Sequence, residues 1–325
     1  MDDTIREVQR ARCISRLSAG PILASDEKTV GNIRLTGRLL PPPPVLPVAR
    51  AVPMSEPSHP AIRETYDDVG AGAPVLALHA SASTRRQWRG LAEGLAERCR
   101  VLAVDLAGYG SRPLPTEGDA FRLRHEVAHL DAVLDDADVA GTVHLVGHSY
   151  GGAVAWAFAH LHPERVASLT VYEPVLFHLL RDQGDPGWDE IQRVPAAIRA
   201  HLDAGDAEAA ARHFVDYWTG PGSFDAAPER TRAVMAGVAR KVVLDFVATF
   251  AHDEPLVRFG LLPAPVHVLA GTAGPQPARS IAHLLGSVCD VEVRTFVGLG
   301  HMGPVTDPGL VDGAVVEHLD ALGVV

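Results

Sequence analysis

The chain predicts an α/β fold, a doubly wound and mostly parallel sheet with one long helical insertion. Three observations predict it. Short apolar runs bounded by turn residues alternate with helical stretches, the mark of strands buried on both faces. The alternation lapses for roughly eighty residues after Pro174 and then resumes. A G-x-S-x-G motif sits where one of these runs gives way to a helix.

The elements follow in order from about Met54. APVLALHA (73–80) reads as a strand, followed by a helix around Trp88 to Glu97. RVLAVDL (100–106), a helix from Phe121 to Asp136 and TVHLVGH (142–148) come next. A helix from about Gly151 to His160 and the strand VASLTVY (166–172) complete the first half. The insertion, about 175–255, reads as helical throughout. PVHVLAG (265–271), a helix near Arg279 to Leu285, VEVRTFV (291–297) and a last helix to Leu322 close the fold.

Residues 1–53 stand apart. They carry a net charge of +3 within a chain of −11, and Pro41 to Pro44 with Pro47 and Pro53 make a proline-rich stretch. They lack the apolar core of a secretory signal, and Asp2, Asp3 and Glu7 speak against a transit peptide. The expectation is a disordered tail, or an upstream extension with Met54 as the native start. Residues 54–325 then form the folded domain. The acidic balance argues against nucleic-acid or anionic-membrane partners. No apolar run is long enough to span a bilayer. Cys13, Cys99 and Cys289 are odd in number and far apart, which fits a reducing, cytoplasmic setting. Only two lysines, Lys28 and Lys241, stand against 27 arginines, which reads as coding bias from a GC-rich, bacterial-type genome.

Ser149 lies in Gly147-His148-Ser149-Tyr150-Gly151. A serine on a sharp strand-to-helix turn has a strained backbone, and its neighbours two residues away must be small. The helix that follows points its positive end at the reacting centre. Two other motifs compete. His125-Glu126-Val127-Ala128-His129 has the H-e-x-x-h spacing of a zinc helix, but lacks a third ligand and reads equally as an amphipathic helix on the sheet. Gly298-Leu299-Gly300-His301-Met302-Gly303 has dinucleotide-loop spacing, but too little chain follows it for a further helix and strand. Neither a metal nor a cofactor is expected.

Four segments in one order resemble the α/β-hydrolase superfamily, in its serine-carboxylesterase-like branch, over residues 62–322. They are LALHASAST, VLAVDLAGYGSRP, HLVGHSYGG and VGLGHMGPVTDP. The resemblance implies a lid inserted after the family's sixth strand, Ser149 as nucleophile and His301 as general base. It also implies an oxyanion hole made by the N–H groups of Tyr150 and Ser81, although Ala80 stands where the family usually has glycine. The acid usually follows the seventh strand, yet no carboxylate occurs from 264 to 289. Some members carry it after the sixth strand, and Glu173 matches that place, with Pro174 favouring an extended Glu173. Asp253 is the reserve. Asp105 reads as turn-forming and His148 as structural. Trp188, Phe214, Tyr217, Trp218 and Phe224 could line the pocket, or could be plain core.

The resulting expectation is a cofactor-free serine hydrolase acting on a small, uncharged carboxylic ester. The alternatives are carbon–carbon bond hydrolysis or acyl transfer on the same triad, and a non-catalytic ligand-binding module on the same fold. Dehalogenase and epoxide hydrolase chemistry of the same fold reads as excluded, since those relatives use Asp where this chain has Ser149.

Overall fold

The structure, a computed structural model, describes residues 61–288 and 291–325. The expectations for residues 1–53, for the start at Met54 and for Cys13 and Cys289 lie outside the described residues.

The strands are β1 (Tyr66–Gly70), β2 (Ala73–Leu78), β3 (Cys99–Val104), β4 (Val143–His148), β5 (Val166–Tyr172), β6 (Val266–Gly271) and β7 (Val291–Phe296). They form one sheet in the order β1-β3-β2-β4-β5-β6-β7. Every pairing is parallel except β1 with β3. β1 was not foreseen: YDDVG is short, acidic and an edge, so it has no continuous apolar run to mark it. The predicted strands lie where the apolar runs are; from β2 to β6 burial on both faces demands such runs, while the edge strand β7 is largely exposed.

Period-two alternation divides the core. Leu76 and Leu78 of β2 face one apolar layer, and Val75 and Ala77 face the other. The first layer is covered by α2 (Leu123–Asp136) and α3 (Tyr150–Leu161), the second by α1 (Arg89–Leu95) and the C-terminal helix (Pro308–Ala321). After β5 the chain leaves the sheet for the helical insertion expected to form the lid: α4 (His178–Gln183), α5 (Gly187–Asp203), α6 (Ala207–Thr219), α7 (Ser223–Ala226) and α8 (Glu229–Phe250). The strand before the lid, sixth by the family's count, is the fifth of the described residues. A short α9 (Leu256–Phe259) leads back to β6, followed by α10 (Gln276–Gly286), β7, α11 (Gly303–Thr306) and α12 (Pro308–Ala321). No helix among the described residues is long and apolar enough to cross a membrane.

Register places the site. Leu78 pairs with Gly147, His148 with Tyr172, Tyr172 with Leu269, and Gly271 with Phe296. The C-terminal ends of five strands therefore stop level with one another. Whatever follows them meets at one edge of the sheet.

Candidate active site

Ser149 joins β4 to α3 with φ 55° and ψ −115°, a left-handed conformation that a β-carbon makes costly. The surroundings fix it. Its N–H donates to the Tyr172 carbonyl at 3.0 Å, and its own carbonyl accepts from Val175 at 3.2 Å. The flanking glycines are steric requirements. A β-carbon at Gly147 would lie 2.7 Å from Gly152 Cα, and one at Gly151 would run into the carbonyl oxygens of Leu78 and His79.

His301 lies in the loop after β7 and is buried. Its Nε2 is 2.9 Å from Ser149 Oγ, and its Nδ1 is 2.6 Å from Glu173 Oε2. The carboxylate can only accept at Nδ1, so Nδ1 carries the proton and Nε2 accepts the serine hydroxyl. Glu173 Oε1 takes the Gly271 N–H at 2.9 Å. Glu173 is thus anchored in the turn after β6, the turn that has no acid of its own. A side chain from the neighbouring strand fills the vacancy in sequence.

Glu173 is not extended, as its proline neighbour led us to expect; its φ is +41°. Its N–H donates to Leu269 at 2.8 Å, continuing the β5–β6 ladder, while the chain must turn at once toward the lid. Tertiary hydrogen bonding overrides the local preference. Asp253 is exposed after α8, and His301 Nδ1 is directed at Glu173.

The expected oxyanion residues flank Ser149. Tyr150 opens α3, so its N–H falls in the first turn, where no intrahelical acceptor exists. Ser81 lines the same small cavity as Ser149. Its hydroxyl, which played no part in the expectation, donates to Asp245 of α8 at 2.6 Å.

His148 is structural, through an unforeseen chain of contacts. The Ala80 N–H donates to Gln87 Oε1 at 3.1 Å, Gln87 Nε2 to His148 Nδ1 at 3.1 Å, and His148 Nε2 to the His301 carbonyl at 2.8 Å. Burial, reinforced by the neighbouring His301, holds His148 well below its ordinary value and so neutral. Tyr172 also donates to the Gly300 carbonyl at 2.7 Å, pinning the histidine loop. Asp105 accepts the N–H groups of Arg85 and Ser111 and pairs with Arg85, as a turn former.

The H-e-x-x-h segment is the middle of α2, and its side chains have other partners. His125 Nδ1 accepts the Arg122 N–H at the start of the helix, and His129 meets Thr65. Glu126 is buried against Arg112 and Lys241. Burial pushes Glu126 up, but Lys241, Arg112 and the Ala107 N–H outweigh it and leave its carboxyl below the usual range. No cluster suited to a metal occurs among the described residues.

Of the five lid aromatics, Phe214 and Trp218 line the cavity, and the Trp218 ring stacks on His301 with centroids 4.0 Å apart. Trp188 packs on Phe250, Tyr217 donates to Glu190, and Phe224 is buried within the lid. The cavity over Ser149 has about 20 Å³, room for little more than one water. Its lining is apolar apart from Ser81, Ser149, Asp245 and Thr249, with the Trp218 ring among the apolar members.

Sequence reasoning missed Asp245 and Lys241. One signal was available: Lys241 is the sole lysine after residue 53 in a chain that otherwise uses arginine, four residues before an aspartate in an apolar run.

Comparison with known families matches residues 73–257 to the alpha/beta hydrolase fold. The chain is 36% identical over 138 residues to the 2-hydroxy-6-oxo-2,4-heptadienoate hydrolase of Pseudomonas putida, covering 41% of this chain and 49% of that one. It is 37% identical over 117 residues to the 2-hydroxymuconate semialdehyde hydrolase of a Pseudomonas species, covering 34% and 39%. The matches thus span half or less of these curated relatives. Among solved structures, a hydrolase from Pseudomonas aeruginosa superposes with a TM-score of 0.63 at 25% identity, covering 78% of this chain and 93% of that one.

Proposed function

Because the chain belongs to the alpha/beta hydrolase fold family, in which catalysis sits at the strand ends, we propose that it is a serine hydrolase cleaving a small, uncharged carboxylic ester. Ser149 Oγ attacks the carbonyl carbon as His301 Nε2 takes its proton. Glu173 orients His301 and stabilises the imidazolium, and the N–H groups of Tyr150 and Ser81 receive the oxyanion. The alcohol leaves with the proton from His301, and water releases the acyl group from Ser149 by the same steps.

The unbroken line from Ser149 Oγ to His301 to Glu173, at 2.9 and 2.6 Å, carries this reading. Among the described residues, none of those lining the cavity is basic. The Asp245 carboxylate is paired with Lys241, so the lining carries no unbalanced charge, which favours an uncharged substrate. The second reading, carbon–carbon bond hydrolysis on the same triad, draws on the dienoate and semialdehyde hydrolases among the relatives. A dienoate is an anion, and this lining offers it no counter-charge.

Fluorophosphonate labelling and p-nitrophenyl butyrate hydrolysis of wild type and Ser149→Ala test the proposal. Both signals should vanish in the variant. A wild type that neither labels nor turns over would leave a ligand-binding module on a hydrolase fold.

A further inference from the structure

We propose that Asp245 and Lys241, one turn apart on the lid helix α8, are positioning residues for the oxyanion site, clamping the two residues whose N–H groups form it. This rests on the serine-hydrolase reading above. Asp245 holds Ser81. Its Oδ2 accepts the Ser81 hydroxyl at 2.6 Å and the Tyr109 hydroxyl at 2.5 Å, while Oδ1 is bonded to Lys241 Nζ. Lys241 holds Tyr150. Its ammonium lies 4.4 Å from the centre of the Tyr150 ring and 3.4 Å from Glu126 Oε1, which accepts the Tyr150 hydroxyl at 3.2 Å.

The rings of Tyr109 and Phe121, 4.7 and 5.0 Å from the ammonium, complete a cage around it. Gly108, with φ +73°, leaves space for the lysine stem; a β-carbon there would lie 2.8 Å from Lys241 Cγ. Lys241 and Arg112 face Asp245 and Glu126, so the buried charges balance.

Stability alone does not explain such a cluster. A buried ion pair gains little over well-packed apolar side chains of the same volume, because desolvation offsets its attraction. What apolar side chains could not supply is direction. Ser81 stands in a turn without glycine, next to Ala82 at φ +56°, and a carboxylate at a fixed distance sets the aim of its backbone. Both oxygens of Asp245 are already engaged, so its effect on the reaction passes through Ser81. The oxyanion site is therefore complete only while α8 is seated.

The test measures kcat and KM for p-nitrophenyl butyrate, and the affinity of an alkyl trifluoromethyl ketone, in the full chain. The ketone adds Ser149 Oγ to its carbonyl carbon, the carbonyl electron pair becomes an oxyanion, and the serine proton passes to His301. Its affinity thus reports the oxyanion site. Removing one donor outright costs about 10²–10³ in kcat, so a misaimed donor should cost about 10- to 100-fold.

Ser81→Ala keeps the N–H but loses the tether. It should lower kcat and ketone affinity together by that factor, with KM within about threefold, and Ser81→Thr should regain most of the loss. Asp245→Asn should behave as Ser81→Ala does, and the double variant should lose no more than the larger single loss. If Asp245→Asn fails to fold, the Ser81 pair decides. Unchanged kcat in Ser81→Ala, additive losses, or a change confined to KM would overturn the clamp while leaving the hydrolase reading intact. Turnover surviving in Ser149→Ala would overturn both.

Discussion

Glu173 reaches from the end of one strand into the turn after the neighbouring one. The turn after β6 has no acid, yet its Gly271 N–H binds a carboxylate that arrives from the end of β5. Glu173→Gln keeps the shape and removes the charge that holds the Nδ1 proton of His301. It should lower kcat by roughly 10⁴, by analogy with the serine-protease acid, with little change in KM. Asp253→Asn should leave kcat near wild type, and a large loss there would transfer the acid role. Gly151→Ala drives a β-carbon into the carbonyl oxygen of His79 at 2.5 Å, with Leu78 as close. It should destabilise the protein by about 1–3 kcal/mol, seen as a lower urea midpoint.

At the scale of elements, α2 and the lid helices carry the functional contrast. α2 has the spacing of a zinc helix but uses Glu126 to neutralise buried cations, so dialysis against a chelator should leave hydrolysis unchanged. A loss restored by zinc would contradict that. In the lid, α6 places Trp218 flat on His301 and over a cavity of about 20 Å³. Trp218→Ala should open this cavity along the acyl chain. The expected outcome is an octanoate-to-butyrate ratio of kcat/KM raised about tenfold, on the order of one methylene's worth of pocket contact. An unchanged ratio would mean that the acyl chain lies elsewhere.

For the whole molecule, buried histidines set the response to acid. Burial lowers His79, His129, His178 and His318 to about 4, so each is neutral when folded and gains a proton on unfolding. The unfolded chain binds more protons between their ordinary value of 6.5 and 4. Their contribution is whole above about pH 6.5 and is lost toward pH 4, by about 1.4 kcal/mol per pH unit for each group. Asp312, raised to about 6 by burial, and Asp245, also raised by burial, work in the opposite sense, but burial lowers His144, His148, His252 and His267 as well, so the histidines prevail. The melting temperature should therefore hold from pH 7.5 to about 6.5 and fall from there toward pH 4, and a flat profile below pH 6.5 in calorimetry would contradict this balance.

The sequence by itself determined the order of the strands after β1, the helices between them and the insertion, and through the family resemblance it pointed to Ser149 and His301. The strands and the serine turn depend on short-range rules, apolar runs for buried strands and glycines two residues from a strained serine, while the histidine loop is identified by its likeness to the family's. It also pointed to Glu173, through the resemblance to relatives that carry the acid after the sixth strand. The tertiary structure decided the left-handed turn at Glu173, the edge strand β1, the ring of Trp218 over His301, and the grip of Asp245 and Lys241 on Ser81 and Tyr150. Each of these joins residues far apart in the chain, Ser81 to Asp245 across 164 positions. Local pattern is blind to such pairs, because their energy comes from excluding water around groups that only the folded chain brings together.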